Sequence, residues 1–197
     1  MTESNLSRRT ILAGVCATTA LTVLPIQAFA QAGKEDGATF SKNEIMQKAE
    51  GFFGKTTKGL AEVIEKAFAD HGRPNAIITG SEAGGAFVVG ARFGEGHVER
   101  KNGGGRKLFW QGPSAGFDFG GNASKVFTLI YHLGNIDDLY QRFPGVDGSL
   151  YIVAGLGLNY QQSGKIVLAP IRTGVGLRAG ANVGYVHYTR EHSWVPL

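Results

Sequence analysis

One serine stands in a pattern that hydrolases use. Gly112-Pro113-Ser114-Ala115-Gly116 fits G-x-S-x-G, which works by exposing serine on a strand-to-helix elbow and aiming backbone N–H groups at an oxyanion. Phe117-Asp118-Phe119-Gly120 follows, and its alternation predicts a strand in place of the helix. The stretch therefore reads as a β-turn. A hydrolase of envelope lipid or glycan with Ser114 as nucleophile is kept as the alternative reading.

The remaining reactive residues point to no reaction. His71, His97, His132, His187 and His192 form neither H-x-H nor H-E-x-x-H, and Cys16 is the only cysteine. A cysteine zinc site and an intrachain disulfide are thereby excluded. His97 and Glu99 share a strand face and read as a solvated pair. Gly103-Gly104-Gly105 lacks the Lys-Ser/Thr of a phosphate-binding loop and precedes no helix. No metal site, cofactor or catalytic residue is expected. The better candidates bind. Phe109 and Trp110 stand beside the 112–116 stretch, Phe93 precedes Gly94-Glu95-Gly96, and Arg92 and Arg106 are close to both. Aromatic rings and guanidinium groups at strand ends can anchor an acyl chain, a polysaccharide or a protein.

Two helices and a β body must position these residues. Ser41-Lys42-Asn43-Glu44 is a capping-box signature, and Ile45, Ala49, Phe52 and Phe53 after it share one helical face, with Gly54 as the stop. A second helix starts near Thr56 or Thr57, with the stripe Leu60, Val63, Ile64, Ala67 and Phe68 and an expected Glu62–Lys66 pair; Gly72 and Pro74 end it. Beyond residue 72, β-branched and aromatic runs predict strands near 75–79, 85–93, 96–100, 106–111, 115–119, 125–132, 149–159, 165–171 and 174–188. Asn102-Gly103 is a hairpin turn and Gly112-Pro113 a second turn. Asn135-Ile136-Asp137-Asp138 opens a short helix over 135–143.

Of 30 glycines, 24 lie from residue 72 onward, and many share a strand face. In 149–160, Leu150, Ile152, Ala154, Leu156, Leu158 and Tyr160 share one parity and Gly155 and Gly157 the other. In 174–186, Gly174, Gly176, Gly180 and Gly184 face away from the apolar set. A glycine stripe weakens a strand unless the sheet coils sharply or something approaches its backbone. The fold class is therefore mainly β (α+β): a small soluble Gly-rich β-barrel, or a strongly curved antiparallel sheet, with two N-terminal helices. An outer-membrane barrel fits poorly, because several strands are short and Val126 to Leu133 is apolar on both faces.

Residues 1–30 read as an export signal. Arg8-Arg9 precede a mild apolar stretch from Ile11 to Val23, and Ala28-Phe29-Ala30 offers cleavage after Ala30. Ser7-Arg8-Arg9-Thr10-Ile11-Leu12 resembles a twin-arginine signal, with the general secretory route as the alternative. Val15 before Cys16 does not suit lipidation. Removing residues 1–30 leaves 18 basic and 15 acidic residues, too mild a balance for nucleic acid. No later run is long and apolar enough for a transmembrane helix. A flexible lead over 31–40 and one domain over 41–197 are expected in the periplasm.

Two long stretches resemble the envelope integrity protein A family of alphaproteobacteria: Phe87 to His97, reading FVVGARFGEGH, and Phe109 to Tyr131, reading FWQGPSAGFDFGGNASKVFTLIY. The resemblance covers most of 40–195. It implies a soluble periplasmic β-barrel needed for envelope integrity, without known catalytic residues. A more distant similarity, over about 85–160, runs to the SYLF lipid-binding domain. Gly90 to Gly96, Trp110 to Pro113, Gly116 to Gly121 and Val126 to Leu139 occupy the places of its turn, Trp-Pro step, Gly-rich strand and apolar strand. This chain reads Trp110-Gln111-Gly112-Pro113 where that family often has Trp-Ser-x-Pro, so phosphoinositide binding is not carried over. The expected function is non-enzymatic: binding an envelope lipid, lipopolysaccharide, peptidoglycan or envelope protein.

Overall fold

The structure is a computed structural model that describes residues 37–54, 58–118, 124–173 and 184–193. The expected export signal, most of the lead, and the glycine stripe of 174–183 lie outside the described residues.

Helix α1 spans Lys42–Phe53 and α2 spans Lys58–His71. The expected capping box is present: the Ser41 hydroxyl accepts from the Glu44 N–H, and the Ser41 N–H donates to Glu44 Oε2 at 2.8 Å. Lys101 also donates to this carboxylate, and its hydrogen bond, with those of Ser41, lowers the Glu44 pKa to about 2. Gly54 takes the left-handed conformation that ends α1. The apolar stripes are inward as read, with Ile45, Ala49, Leu60, Val63, Ile64 and Ala67 all at 1% exposure or less. The expected Glu62–Lys66 pair is replaced. Lys66 turns along the helix to Asp70 at 3.0 Å, and Asp70 also accepts from the Tyr160 hydroxyl at 2.6 Å.

Among the described residues the β body is one antiparallel sheet of nine strands: β1 Ala76–Arg100, β2 Gly105–Asp118, β3 Ser124–Tyr131, β4 Arg142–Pro144, β5 Tyr151–Val153, β6 Leu156–Leu158, β7 Gln161–Ser163, β8 Ile166–Thr173 and β9 Tyr185–Thr189. The order is β4-β9-β2-β1-β3-β8-β6-β5, with β7 also on β8. A bridge between Gly145 and Gln161, supported by the Val146 N–H on the Tyr160 carbonyl at 2.9 Å, joins the β4 end to β7. The hydrogen-bonded path thus returns on itself, giving a barrel-like sheet whose seam is one bridge instead of a ladder.

Strict alternation sorts the side chains into two cores. Phe127, Leu129 and Tyr131 of β3, with Val167, Ala169 and Ile171 of β8, lie under α1 and α2. Val126, Ile130, Ile166 and Leu168, their neighbours in sequence, fill the interior with Leu108, Val186, Leu139 and Phe143. Val126 to Leu133 is apolar on both faces for this reason. The outer face of β1 and β2 instead carries Glu95, paired with Lys107 at 2.9 Å, and Glu99, paired with Lys48. That is not the apolar band a lipid-facing barrel needs. Among the described residues no helix is long and apolar enough to cross a membrane.

The glycines explain where strand boundaries differ from expectation. The predicted strands 75–79, 85–93 and 96–100 are one strand, β1, because Gly80, Gly94 and Gly96 do not break it. A side chain at Gly80 or Gly96 would overlap the backbone of the other half of β1, which passes close by, and one at Gly94 would overlap the Trp110 indole. The expected turn at Gly112-Pro113 is likewise the interior of β2, where Gly112 pairs with Arg92 and Pro113 with Ala91. The predicted strand 149–159 is a hairpin instead: Ala154 (φ 49°) and Gly155 (φ 80°) make a two-residue left-handed turn between β5 and β6. That turn exchanges the faces and leaves Leu150 and Ile152 exposed. The short helix is a single 3-10 turn, Ile136–Leu139, capped by Asn135 and Asp138. It ends before 143 because Arg142–Pro144 pairs with β9.

Candidate binding site

The pleat of β1 and β2 divides the five residues singled out from sequence. Arg92 and Trp110 face inward, at 7% and 3% exposure. Phe93 and Phe109 occupy the outer face, half-buried. Arg106 is exposed near the end of β2 and pairs with Asp137 of the 3-10 turn at 2.8 Å, beside Arg190 at 3.0 Å from the same carboxylate.

Inside, Trp110 belongs to a polar cluster that sequence reasoning missed. Its indole N–H donates to Glu82 Oε2 at 2.8 Å, while Glu82 Oε1 accepts from Arg172 Nε at 3.2 Å. Arg172 also donates to Asn159 Oδ1 at 2.7 Å. Burial alone would push the Glu82 carboxyl up, but Arg172, Arg92 and the Trp110 N–H hold it below its ordinary value. Burial pushes the Tyr188 hydroxyl beside the cluster up to about 12. A parity argument would have found this cluster: Glu82 continues the inward face of Ala76 and Ile78, and Arg172 that of Ile166 and Leu168. A charge on an inward face must find a partner there. Chemically the cluster is an anchor. Every ionised group has opposite charge close by, and the indole is fixed against the Gly94 backbone.

Outside, Phe109 lies in register with Glu95, and Phe93 with Gln111, so the two rings are diagonal neighbours on one face. Lys107 Nζ stands 4.9 Å from the Phe109 ring centre, and the His192 ring meets it edge-on at 5.6 Å. Helix α1 reaches the edge of this strip: Phe52 shares a cleft with Glu95, His97 and Lys107, and Lys48 donates to Glu99. Ser114, the alternative nucleophile, sits in β2 opposite Gly90 with strand on both sides. The elbow that activates a serine in G-x-S-x-G is not formed there. Among the described residues no group of three or more His, Cys, Asp or Glu could hold a metal ion. Glu99, once read with His97, is engaged by Lys48 at 2.9 Å.

The chain is similar in sequence and shape to a solved bacterial protein. A solved structure described as a beta-barrel-like, uncharacterized protein from Brucella abortus is 46% identical, with a TM-score of 0.74, and the match covers 81% of this chain and 99% of that one. No curated protein matches. Residues 38–197 match the family model of envelope integrity protein A. On that match across the whole described body, the chain belongs to the envelope integrity protein A family.

Proposed function

We propose that this protein maintains the cell envelope from the periplasm by holding an envelope component without transforming it. The observation that carries this reading is the strip on the outer face of β1 and β2, where Lys107 stands 4.9 Å from the Phe109 ring centre, Phe93 is its diagonal neighbour and Arg106 lies near the start of β2. Rings supply apolar contact and cations attract phosphate or carboxylate groups. Arg92 and Trp110 take part from beneath, by fixing the strands that present the strip. Membership of a family named for envelope integrity supports the role, and the twin-arginine-like lead, cleaved after Ala30, supports the compartment. Lipid, lipopolysaccharide, peptidoglycan and an envelope protein are the candidate ligands.

The test is to purify the protein from periplasm and identify by mass spectrometry what stays bound, in the wild type and in Phe93→Ala/Phe109→Ala. Retention by the wild type and loss in the double variant are expected, together with detergent sensitivity on depletion. An envelope unchanged by depletion would refute the role. Trp110→Ala is unsuitable as a site probe, because a side chain 3% exposed and bonded to Glu82 holds the barrel itself.

A further inference from the structure

An open cleft of about 670 Å³ lies where the end of α2, the end of β3 and the turn between β7 and β8 meet. That volume falls within the range of small-molecule sites. Among the described residues its charged or titratable lining is His71, His132 and Lys165, with no carboxylate. Leu133 and Val167 supply an apolar wall.

The cleft is built, not left over. His132 has a left-handed backbone (φ 59°), uncommon for a residue other than glycine. It is fixed by its neighbours. Tyr131 ends β3 with its hydroxyl on the Ala67 carbonyl at 3.1 Å, and the Asn75 amide grips Leu133 at both backbone groups, at 2.8 and 3.1 Å. Such conformations persist where the surroundings over-determine them, and they concentrate at ligand sites. His71 is held across the cleft, its ring edge-on to Tyr160 at 4.5 Å and 5.3 Å from Tyr131.

We propose that this cleft binds an oxyanion, a phosphoryl or carboxylate group on a ligand of about sugar size, through Lys165 and the imidazoles of His71 and His132. Lys165 brings the positive charge and the two imidazoles bring N–H donors, a set that an anion completes. Two acids stand close to the lining and both are engaged: Asp70 by Tyr160 and Lys66, and Asp138, beside Gly134, by the Asn135 N–H. The groups facing His71 are Asp70 and Lys66 on α2, Tyr131 and His132 at the end of β3, Tyr160 before β7, and Lys165 in the next turn. Burial, with the nearby His132 and Lys66, lowers the His71 pKa against the pull of Asp70. His71 therefore enters the site largely neutral at pH 7 and protonates as the anion arrives, a charge that the carbonyl end of α2 also favours. Binding then takes up a proton, and affinity rises as pH falls toward the free-state pKa, by up to about tenfold per pH unit for each proton taken up. This site uses other strands than Phe93 and Phe109 and stands whether or not those rings bind a partner.

The experiment follows the five imidazole C2–H signals of the purified protein by NMR while glucose 1-phosphate, glucuronate or neutral glucose is added. Saturable shifts confined to His71 and His132 with either anion, and none with glucose, are expected. The tighter anion identifies the oxyanion. Lys165→Ala, an exposed change, should weaken binding about tenfold by removing one charge-assisted bond. His132→Asn, which keeps the left-handed backbone accessible, should do the same. No shift with either anion, an equal shift with glucose, or unchanged affinity in both variants would overturn the proposal.

Discussion

The two outer faces of this barrel are made by neighbouring strands and have opposite fates. The face of β3 and β8 is continuous hydrocarbon, and two helices lie on it. The face of β1 and β2 alternates rings with charges, and α1 meets it at the edge through Lys48 on Glu99 and through Phe52. Packing explains the first face completely: Phe127, Leu129, Val167 and Ile171 need a lid, and the stripes of α1 and α2 provide one. It does not explain the second, where two phenylalanines stand among ion pairs on a wall already stabilised from within. The difference sets a wall closed by hydrocarbon packing beside one whose outward residues are rings and ion pairs, and the proposed binding rests on the second.

The strongest way to break that comparison is at the covered wall. Phe127→Ala should cost about 3–5 kcal/mol, because the ring is fully buried beneath Phe52 and Phe53. Urea unfolding measures it. A cost near zero would mean that the helices are not a structural lid.

The interior anchor comes next. Glu82→Gln leaves Arg172 and Arg92 buried without their carboxylate and should cost about 3 kcal/mol at pH 7. The pH dependence has a definite sign. Glu82 has a folded-state pKa below its unfolded one, so its contribution is complete above the unfolded value. It is lost as pH falls through the folded value. The wild type should therefore lose stability in acid more steeply than Glu82→Gln, as read by urea midpoints from neutral pH downward.

Gly94→Ala should follow at about 1–3 kcal/mol, because a methyl group there displaces the Trp110 indole. A shifted tryptophan fluorescence spectrum would accompany the loss. Phe109→Ala should do least, within about 0.5–1 kcal/mol, since it removes a half-buried ring and its Lys107 contact. Its effect belongs in binding.

The helices were legible because a 3.6-residue period with a capping box has few other readings. Ser41, Glu44 and the Leu60 to Phe68 stripe stand as the sequence predicts. The strands were harder because glycine is ambiguous. Gly80, Gly94 and Gly96 look like punctuation along the chain, yet they are interior positions where a backbone or an indole needs the space of a missing Cβ. Leu150 and Ile152 misled for another reason. Leu150, Ile152, Ala154, Leu156 and Leu158 read as one strand face, but Tyr151 and Val153 are apolar on the other parity, so a turn at Ala154-Gly155 leaves no trace in the pattern. Of the site, Trp110 was legible as a singular residue, but its role was not. That role depends on Glu82, 28 positions away, which only the register of β1 brings to it.

The central claim is the proposal that the ring-and-cation face of β1 and β2 holds an envelope component. Native mass spectrometry of the protein released gently from periplasm tests it most directly. The account predicts a discrete bound mass on the wild type that is absent from Phe93→Ala/Phe109→Ala, with both proteins equally folded by urea midpoint. A wild type that emerges bare, or a double variant that keeps the same mass, would contradict it.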